Sequence, residues 1–314
     1  MAKQSEAKQL GVILKPGREK ALRQQHHWIF SGAIQSLPPF EDGAFLPVYA
    51  ADGQFMGTGY FNRCAGIVGR MVSFDETPPM ERLAQRLESA FKLRERWFDL
   101  QQTNAYRLVN GEGDGIPGLI IDVYDQAVVL QSSTKGIDRI KPWIIDWVNR
   151  YLKPQTIYEK SLLPSRREEG IKDFQGYLSG IENPHVSFKE NGLLFTLSLE
   201  KSQKTGFFLD HREMRQWIRH LAKGKRVLNA FSYTGGFSVY ALAGGAESVD
   251  SVDISEDAIE NAKKNVALNG WDPQAHNFYC EDVFLFLRER ELPYDLVILD
   301  PPAFAKKKKD IIPA

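Results

Sequence analysis

Apolar positions along the chain follow two rhythms. Between residues 10 and 75 short apolar stretches at 12–14, 28–30, 45–49, 55–61 and 67–74 are separated by turn residues, which predicts short strands. Asp52-Gly53 between two of them signals a hairpin. Gly57, Gly59, Gly66 and Gly69 suit the bends of a small barrel, and Pro78-Pro79 closes the segment. The period then lengthens. Leu83, Leu87, Ala90, Phe91, Arg94, Trp97 and Phe98 recur at helical spacing, with Arg82, Arg86, Lys92 and Arg96 largely off that stripe. Those four cations make either a solvated face or one turned to RNA.

Residues 106–190 mix the rhythms. Strands are expected at 106–109, 119–123 and 127–131, and a helix through Ile137, Ile140, Trp143, Ile144, Trp147 and Val148. A glycine-rich loop spans 111–118, and Arg166-Arg167-Glu168-Glu169 reads as an exposed polar loop. A hairpin around Asn191-Gly192 follows. Asp210 with Glu213 offers a helix cap before the stripe Met214, Trp217, Ile218 and Leu221. Strands at 226–230, 248–254, 277–280 and 295–299 then alternate with helices at 237–243, 256–268 and 283–290. That alternation predicts a parallel sheet with helices on both faces. The run 296–299 is nearly all apolar, as in a strand buried on both faces.

Composition narrows the class. With 43% hydrophobic and 25% charged residues in 314, the chain reads as globular, not disordered, and long enough for two or three domains. Forty Lys and Arg balance forty Asp and Glu, which excludes a wholly basic nucleic-acid coat. The charge is uneven, however: cations gather before residue 31 and at Lys306 to Lys309. Two cysteines, Cys64 and Cys280, are too few for a disulfide framework or a multi-cysteine zinc site, so no metal is expected and a reducing, cytoplasmic setting is. The N-terminus lacks the apolar core of a secretory signal, and no apolar run reaches membrane-spanning length.

Candidate chemistry sits at the ends of the parallel strands, where open α/β sheets bind ligands. The first ends in Asn229-Ala230-Phe231-Ser232-Tyr233-Thr234-Gly235-Gly236. The glycine pair permits close approach of a ligand, or equally tight helix packing. It is not GxGxxG, so a dinucleotide's pyrophosphate cradle is missing and a nicotinamide enzyme is disfavoured. Asp253 ends the second strand, at the offset where an acid meets ribose hydroxyls. Asp282 follows the third, placed for an adenine amine; either acid also suits a helix cap. The fourth ends in Asp300-Pro301-Pro302-Ala303-Phe304, a rigid loop with an acceptor and a stacking ring. Cys280 reads as a small core residue.

Residues 200–304 resemble the class I S-adenosylmethionine-dependent methyltransferases. EKSQKTGFFLDHR (200–212), NAFSYTGGFSVYA, VDIS and DPPAF are more particular, and resemble the bacterial large-subunit (23S) rRNA cytosine-C5 methyltransferases. The N-terminal segment GVILKPGREKALRQQHHWIFSGAI and the loop GEGDGIPGL fit that family's layout. The resemblance implies a PUA-like β-barrel (1–76), an α+β middle domain (77–185) and a Rossmann-like methyltransferase domain (186–314) showing its first four strands. It implies S-adenosylmethionine as cofactor. Gln203, Thr205, Gly206 and Asp210 would lie at its methionine end, Asn229, Phe231, Gly235 and Gly236 beneath it, Asp253 at the ribose and Asp282 at the adenine. Asp300, Pro301, Pro302 and Phe304 would face the target base. Lys15, Arg18, Arg23, His26, His27, Lys306, Lys307 and Lys308 would contact RNA phosphates.

Cytosine C5 is a poor nucleophile, so this chemistry calls for a cysteine thiolate adding at C6. In the resembled family that cysteine follows the DPPxF loop, which no cysteine does here. The expectation is therefore a C-terminally truncated chain, inactive alone on cytosine. Two alternatives remain: an rRNA guanine-N2 methyltransferase, which needs no cysteine, and a non-catalytic RNA-binding protein. An uncovered apolar edge near the C-terminus leaves a homodimer open.

Overall fold

The computed structural model describes residues 11–290 and 293–302. Its residues group into two compact units. The first takes the chain to Leu100, then Ala105–Pro184 and Leu199–Thr205; the second takes Gln101–Asn104, His185–Ser198 and the chain from Gly206.

The first unit holds two sheets. One comprises β1 (Val12–Leu14), β2 (Trp28–Phe30), β3 (Ile34–Ser36), β4 (Phe45–Tyr49), β5 (Phe55–Phe61) and β6 (Ile67–Ser73), with helix α1 (Lys20–Arg23) before β2. Its order is β2-β6-β5-β4-β1-β3. Val12, Leu14, Ile29, Val48, Phe61 and Met71 fill its core. Gly57, at φ 122°, is pressed against the Ser73 carbonyl where β5 shifts register against β6, so no side chain fits there.

The second sheet, order β11-β10-β9-β8-β7, is built from β7 (Ala105–Asn110), β8 (Leu119–Tyr124), β9 (Ala127–Ser132), β10 (Thr156–Ser161) and β11 (Phe174–Gly180). Helix α2 (Pro79–Trp97) precedes it, and α3 (Lys135–Tyr151) crosses between the parallel pair β9 and β10. Leu83, Leu87 and Ala90 of α2 and Ile137, Ile140 and Ile144 of α3 share one core with the sheet. Trp97, placed on the stripe by its spacing, is exposed. Arg82 bonds Asp75 and Thr77, Arg86 bonds the Gly115 carbonyl, and Arg94 forms a two-pronged pair with Asp114 at 2.6 and 2.8 Å. Two of the four cations off the stripe thus serve the fold.

Residues 166–169 are not an exposed loop. Pro164–Glu168 forms a short helix, α4, and Arg166 and Glu169 are both buried. Arg166 pairs with Asp138 at 3.0 Å and donates to the Ser132 carbonyl at 2.8 Å. Glu169 receives Arg70 at 2.6 Å and Asn62 at 2.7 Å. Each charge finds its partner far along the chain, which no local pattern signals.

In the second unit, β12 (His185–Glu190) and β13 (Leu193–Ser198) form the expected hairpin, with Asn191 and Gly192 both left-handed at φ 50° and 78°. After α5 (Arg212–Leu221) come β14 (Arg226–Ala230), α6 (Gly236–Ala243), β15 (Ser248–Asp253), α7 (Glu256–Leu268), β16 (Asn277–Cys280), α8 (Val283–Glu289) and β17 (Leu296–Leu299). The four strands are parallel in the order β16-β15-β14-β17, so the strand order reverses at β14.

Several expectations change here. Asp210 sits in a single 3-10 turn, Leu209–His211, and does not cap α5. The stripe Met214, Trp217 and Leu221 is exposed, and α5 instead buries Arg215. Its guanidinium pairs with Glu190 through two 2.7 Å bonds and lies over the Phe207 ring, so a charge matched across elements decides which face turns inward. Val297 and Leu299 of β17 are 45% and 58% exposed, because β14 is its only neighbour among the described residues. Cys280 is likewise exposed, at the end of the edge strand β16, with Sγ 3.6 Å from the Ile254 carbonyl.

Candidate active site

The turn leaving β14 is backbone-constrained. Phe231 and Tyr233 adopt φ of 59° and 47°, a region that residues with side chains rarely enter, and Gly235 follows at 74°. A Cβ on Gly235 would stand 2.8 Å from that of Ala262, so this glycine serves close packing on α7 as well as the left-handed turn. The turn is pinned to its neighbour: Ser232 N donates to the Val252 carbonyl, and Tyr233 N to Asp253 Oδ2 at 2.8 Å. Asp253 Oδ1 accepts from Ser255 N at 2.9 Å. The carboxylate is thus fixed by main-chain donors at the carboxyl end of β15, half-buried, with lone pairs left on each oxygen.

Asp253 connects to Asp300 through residues the strand-end reading passed over. Tyr233 Oη donates to the Gly206 carbonyl at 3.2 Å, and its ring meets Phe208 edge-on at 5.3 Å. Phe208 stacks on His211 at 5.7 Å, and His211 Nδ1 lies 3.4 Å from Asp300 Oδ2. Phe208 and His211 belong to the 200–212 motif, so that motif was the available signal. Asp300 itself is partly exposed, and Pro301 and Pro302 are exposed.

Three buried polar atoms at the end of β14 and on this turn have no hydrogen-bond partner among the described residues: Asn229 Oδ1, Ser232 Oγ and Thr234 Oγ1. Asn229 Nδ2 is satisfied, donating to Ser238 Oγ at 2.8 Å. Unmatched oxygens beside a fixed carboxylate are the chemistry of a site that takes a polar ligand. Phe231 meets Phe284 edge-on at 6.0 Å. Asp282 caps α8, accepting from Phe284 N and Leu285 N, both on Oδ1. The capping reading of this acid therefore holds, and Oδ2 takes neither of those bonds.

Asn229, Phe231, Gly235, Gly236, Asp253, Asp282 and Asp300 thus gather at one edge of the second unit's sheet. Gly206 joins them through Tyr233. Gln203, exposed, and Thr205, buried, belong to the first unit, where Thr205 Oγ1 donates to Asp122 Oδ2 at 2.6 Å. Asp210 is exposed on its turn. Of the basic set, Lys15 Nζ donates to the Gly32 carbonyl at 3.1 Å, Arg23 bonds Gln54 at 2.7 Å, and Arg18 is exposed. His27 turns inward, with Nδ1 2.7 Å from the Met71 carbonyl, and burial holds its imidazole below the usual range. Phe304, Lys306, Lys307 and Lys308 lie outside the described residues.

Comparison with known proteins decides the assignment. A PUA-like domain family matches residues 12–74, and a S-adenosylmethionine-dependent methyltransferase family matches 170–312. A ribosomal RNA large subunit methyltransferase I from Alteromonas mediterranea is 39% identical over 306 residues, covering 96% of this chain and 77% of the relative. The chain belongs to the ribosomal RNA large subunit methyltransferase I family. Another member, from Aeromonas salmonicida, is 39% identical over 96% of this chain and 78% of its own. A solved structure from Streptococcus mutans, ascribed to the SAM-dependent methyltransferases, superposes with a TM-score of 0.80 at 27% identity, covering 96% of this chain and 81% of the other. A second, complexed with SAH, superposes at 0.81 with 28% identity over 96% and 78%.

As a member of this family the chain is a SAM-dependent methyltransferase, with a PUA-like domain preceding a Rossmann-like fold. The residues present fit the cofactor. Asp253 offers paired acceptors for a diol, and the partnerless Ser232 and Thr234 hydroxyls line the same turn. Among the described residues no group of acids, histidines or cysteines is arranged to hold a metal ion. None of their helices is long and apolar enough to cross a membrane.

Proposed function

We propose that this protein methylates large-subunit ribosomal RNA at C5 of a cytosine. One observation carries the reading: Asp253 and Asp300 flank the β14 turn and are joined by Tyr233, Phe208 and His211. This is one acid for a ribose and one for a base, at the reversal of strand order where α/β sheets bind ligands. The relatives' names supply the ribosomal RNA, and the 200–304 motifs supply the cytosine.

S-adenosylmethionine, when bound, supplies a methyl group made electrophilic by its sulfonium. The protein's work is positioning. Asp253 would accept from the ribose hydroxyls, Asp282 Oδ2 from the adenine amine, and Asn229, Phe231, Gly235 and Gly236 would form the floor. Gln203, Thr205, Gly206 and Asp210 are proposed for the methionine end. Asp300, oriented by His211, would accept from the exocyclic amine of the target base, while the rigid Pro301-Pro302 step holds the loop. The base must be unpaired or flipped to reach it.

A second reading has its own support. Cys64 lies in the first unit, and Cys280 ends β16, with β15 and β14 between it and β17. Within the second unit's sheet Cys280 is therefore two strands removed from the strand that Asp300 follows, and methylation of guanine N2 needs no cysteine. Nucleoside analysis of ribosomal RNA from cells with and without the gene separates the two. Loss of one 5-methylcytidine from the large subunit is expected. Loss of N2-methylguanosine instead would favour the amine, and an unchanged profile would remove both.

A further inference from the structure

Strand β2 carries a row of rings on its outer face. Trp28 and Phe30 flank the buried Ile29, so both project to one side of β2, and His26, just before the strand, is exposed beside Trp28. Neighbouring rings meet edge to face, with centroids 5.8 Å apart for His26 and Trp28 and 6.3 Å for Trp28 and Phe30. Trp28 is 37% and Phe30 52% exposed, an uncommon outlay of aromatic surface on an edge strand.

The row is held rather than floppy. Trp28 Nε1 donates to Glu112 Oε1 at 2.7 Å, and His26 Nδ1 accepts from Trp28 N at 3.2 Å. Cations stand at one end. Ser31–Ala33 continues directly from Phe30, and Lys15 reaches the Gly32 carbonyl with its ammonium while its own N–H bonds Ala33 O. Arg18 follows on the same turn, its N–H on the Lys15 carbonyl. Among the described residues Glu112 is the acid bonded to the row, and it orients the indole.

We infer that His26, Trp28 and Phe30 form a stacking platform for unpaired RNA bases, with Lys15 and Arg18 gripping the adjoining phosphates. Side chains two residues apart on a strand repeat about every 6.6 Å. That is close to two base steps of a strand advancing about 3.4 Å each. Aromatic rows on sheets stack successive bases in this way, and the contact tolerates any sequence because every base has a π face. A duplex hides those faces, so the platform selects single strands. This inference rests on the RNA reading above and adds a surface of the first unit that would hold substrate.

The test is fluorescence anisotropy of the full 314-residue chain with an unstructured labelled RNA and a duplex of equal length. Trp28→Ala with Phe30→Ala should weaken single-strand binding by roughly 10- to 100-fold while leaving the salt dependence of the remaining affinity unchanged. Trp28→Phe with Phe30→Tyr should restore most of it, which a folding defect would not allow. Lys15→Ala with Arg18→Ala should instead flatten the salt dependence by about 1.4 in slope. S-adenosylmethionine binding should persist in all three variants. Wild-type binding that is indifferent to the ring substitutions would overturn the platform alone and point to a protein partner for the row. Wild-type protein that prefers the duplex would also overturn it. No RNA binding by the wild type would overturn both the platform and the reading beneath it.

Discussion

Asp253 shows how one residue's value is set by its neighbours. A lone aspartate after a strand is an ordinary helix cap. Here two main-chain N–H groups clamp one oxygen each, fixing the plane of the carboxylate where a ribose would lie. Those donors belong to a turn whose Phe231 and Tyr233 hold left-handed conformations, a cost kept at a site that needs rigid aim. Asp253→Ala removes the clamp and the acceptors together. Calorimetry should show S-adenosylmethionine binding weakened tenfold or more, about 1.4 kcal/mol at least, and an unchanged affinity would remove Asp253 from the site. Asp282 offers a contrast, since its Oδ1 is committed to starting α8.

Strand β10 carries a buried ammonium that organises the segment after β13. Lys160 Nζ donates to the carbonyls of Leu199 at 2.9 Å, Glu200 at 3.2 Å and Ser202. Burial pushes this lysine down to about 8 from its ordinary 10.5. The unfolded chain keeps that proton to the ordinary value, so between these limits it binds one proton more than the folded chain. Stability contributed by the site therefore rises with pH through that window, and below it the full cost of burying the charge is present. Urea unfolding across pH 8 to 10 should show wild type gaining on Lys160→Met as pH rises. Parallel curves would mean that Lys160 titrates outside the window. Helix α5 teaches the same lesson about elements, since its strongest apolar stripe is the exposed one and its buried face is organised by Arg215 on Glu190.

Across the whole molecule, the grouping of residues departs from the order of motifs. The barrel strands and the five-stranded sheet fall in one unit. Tyr60 Oη donates to the Pro117 carbonyl at 2.5 Å, and Glu169 gathers Arg70 and Asn62. Burial raises the Tyr60 phenol well above its usual range, so this donor stays protonated at any working pH. Glu169→Ala would leave Arg70 buried with no countercharge. A loss of about 3–5 kcal/mol is expected by denaturant unfolding, with signals from both sheets lost in one transition. Separate transitions would show that the two sheets are independent.

The sequence alone determined what depends on short range. Strand and helix periods, the Asn191-Gly192 hairpin and the acids at successive strand ends all follow from geometry within a few residues. The family motifs of 200–304 were legible for the same reason, since a turn and its acid are written contiguously. Tertiary structure decided burial and pairing. Glu169 meets Asn62 across 107 positions, Arg215 finds Glu190, Cys280 reaches the surface on an edge strand, and Tyr233, Phe208 and His211 join two acids 47 residues apart. A polar residue is exposed by default unless a distant partner compensates its desolvation, and only the folded chain says whether that partner arrives.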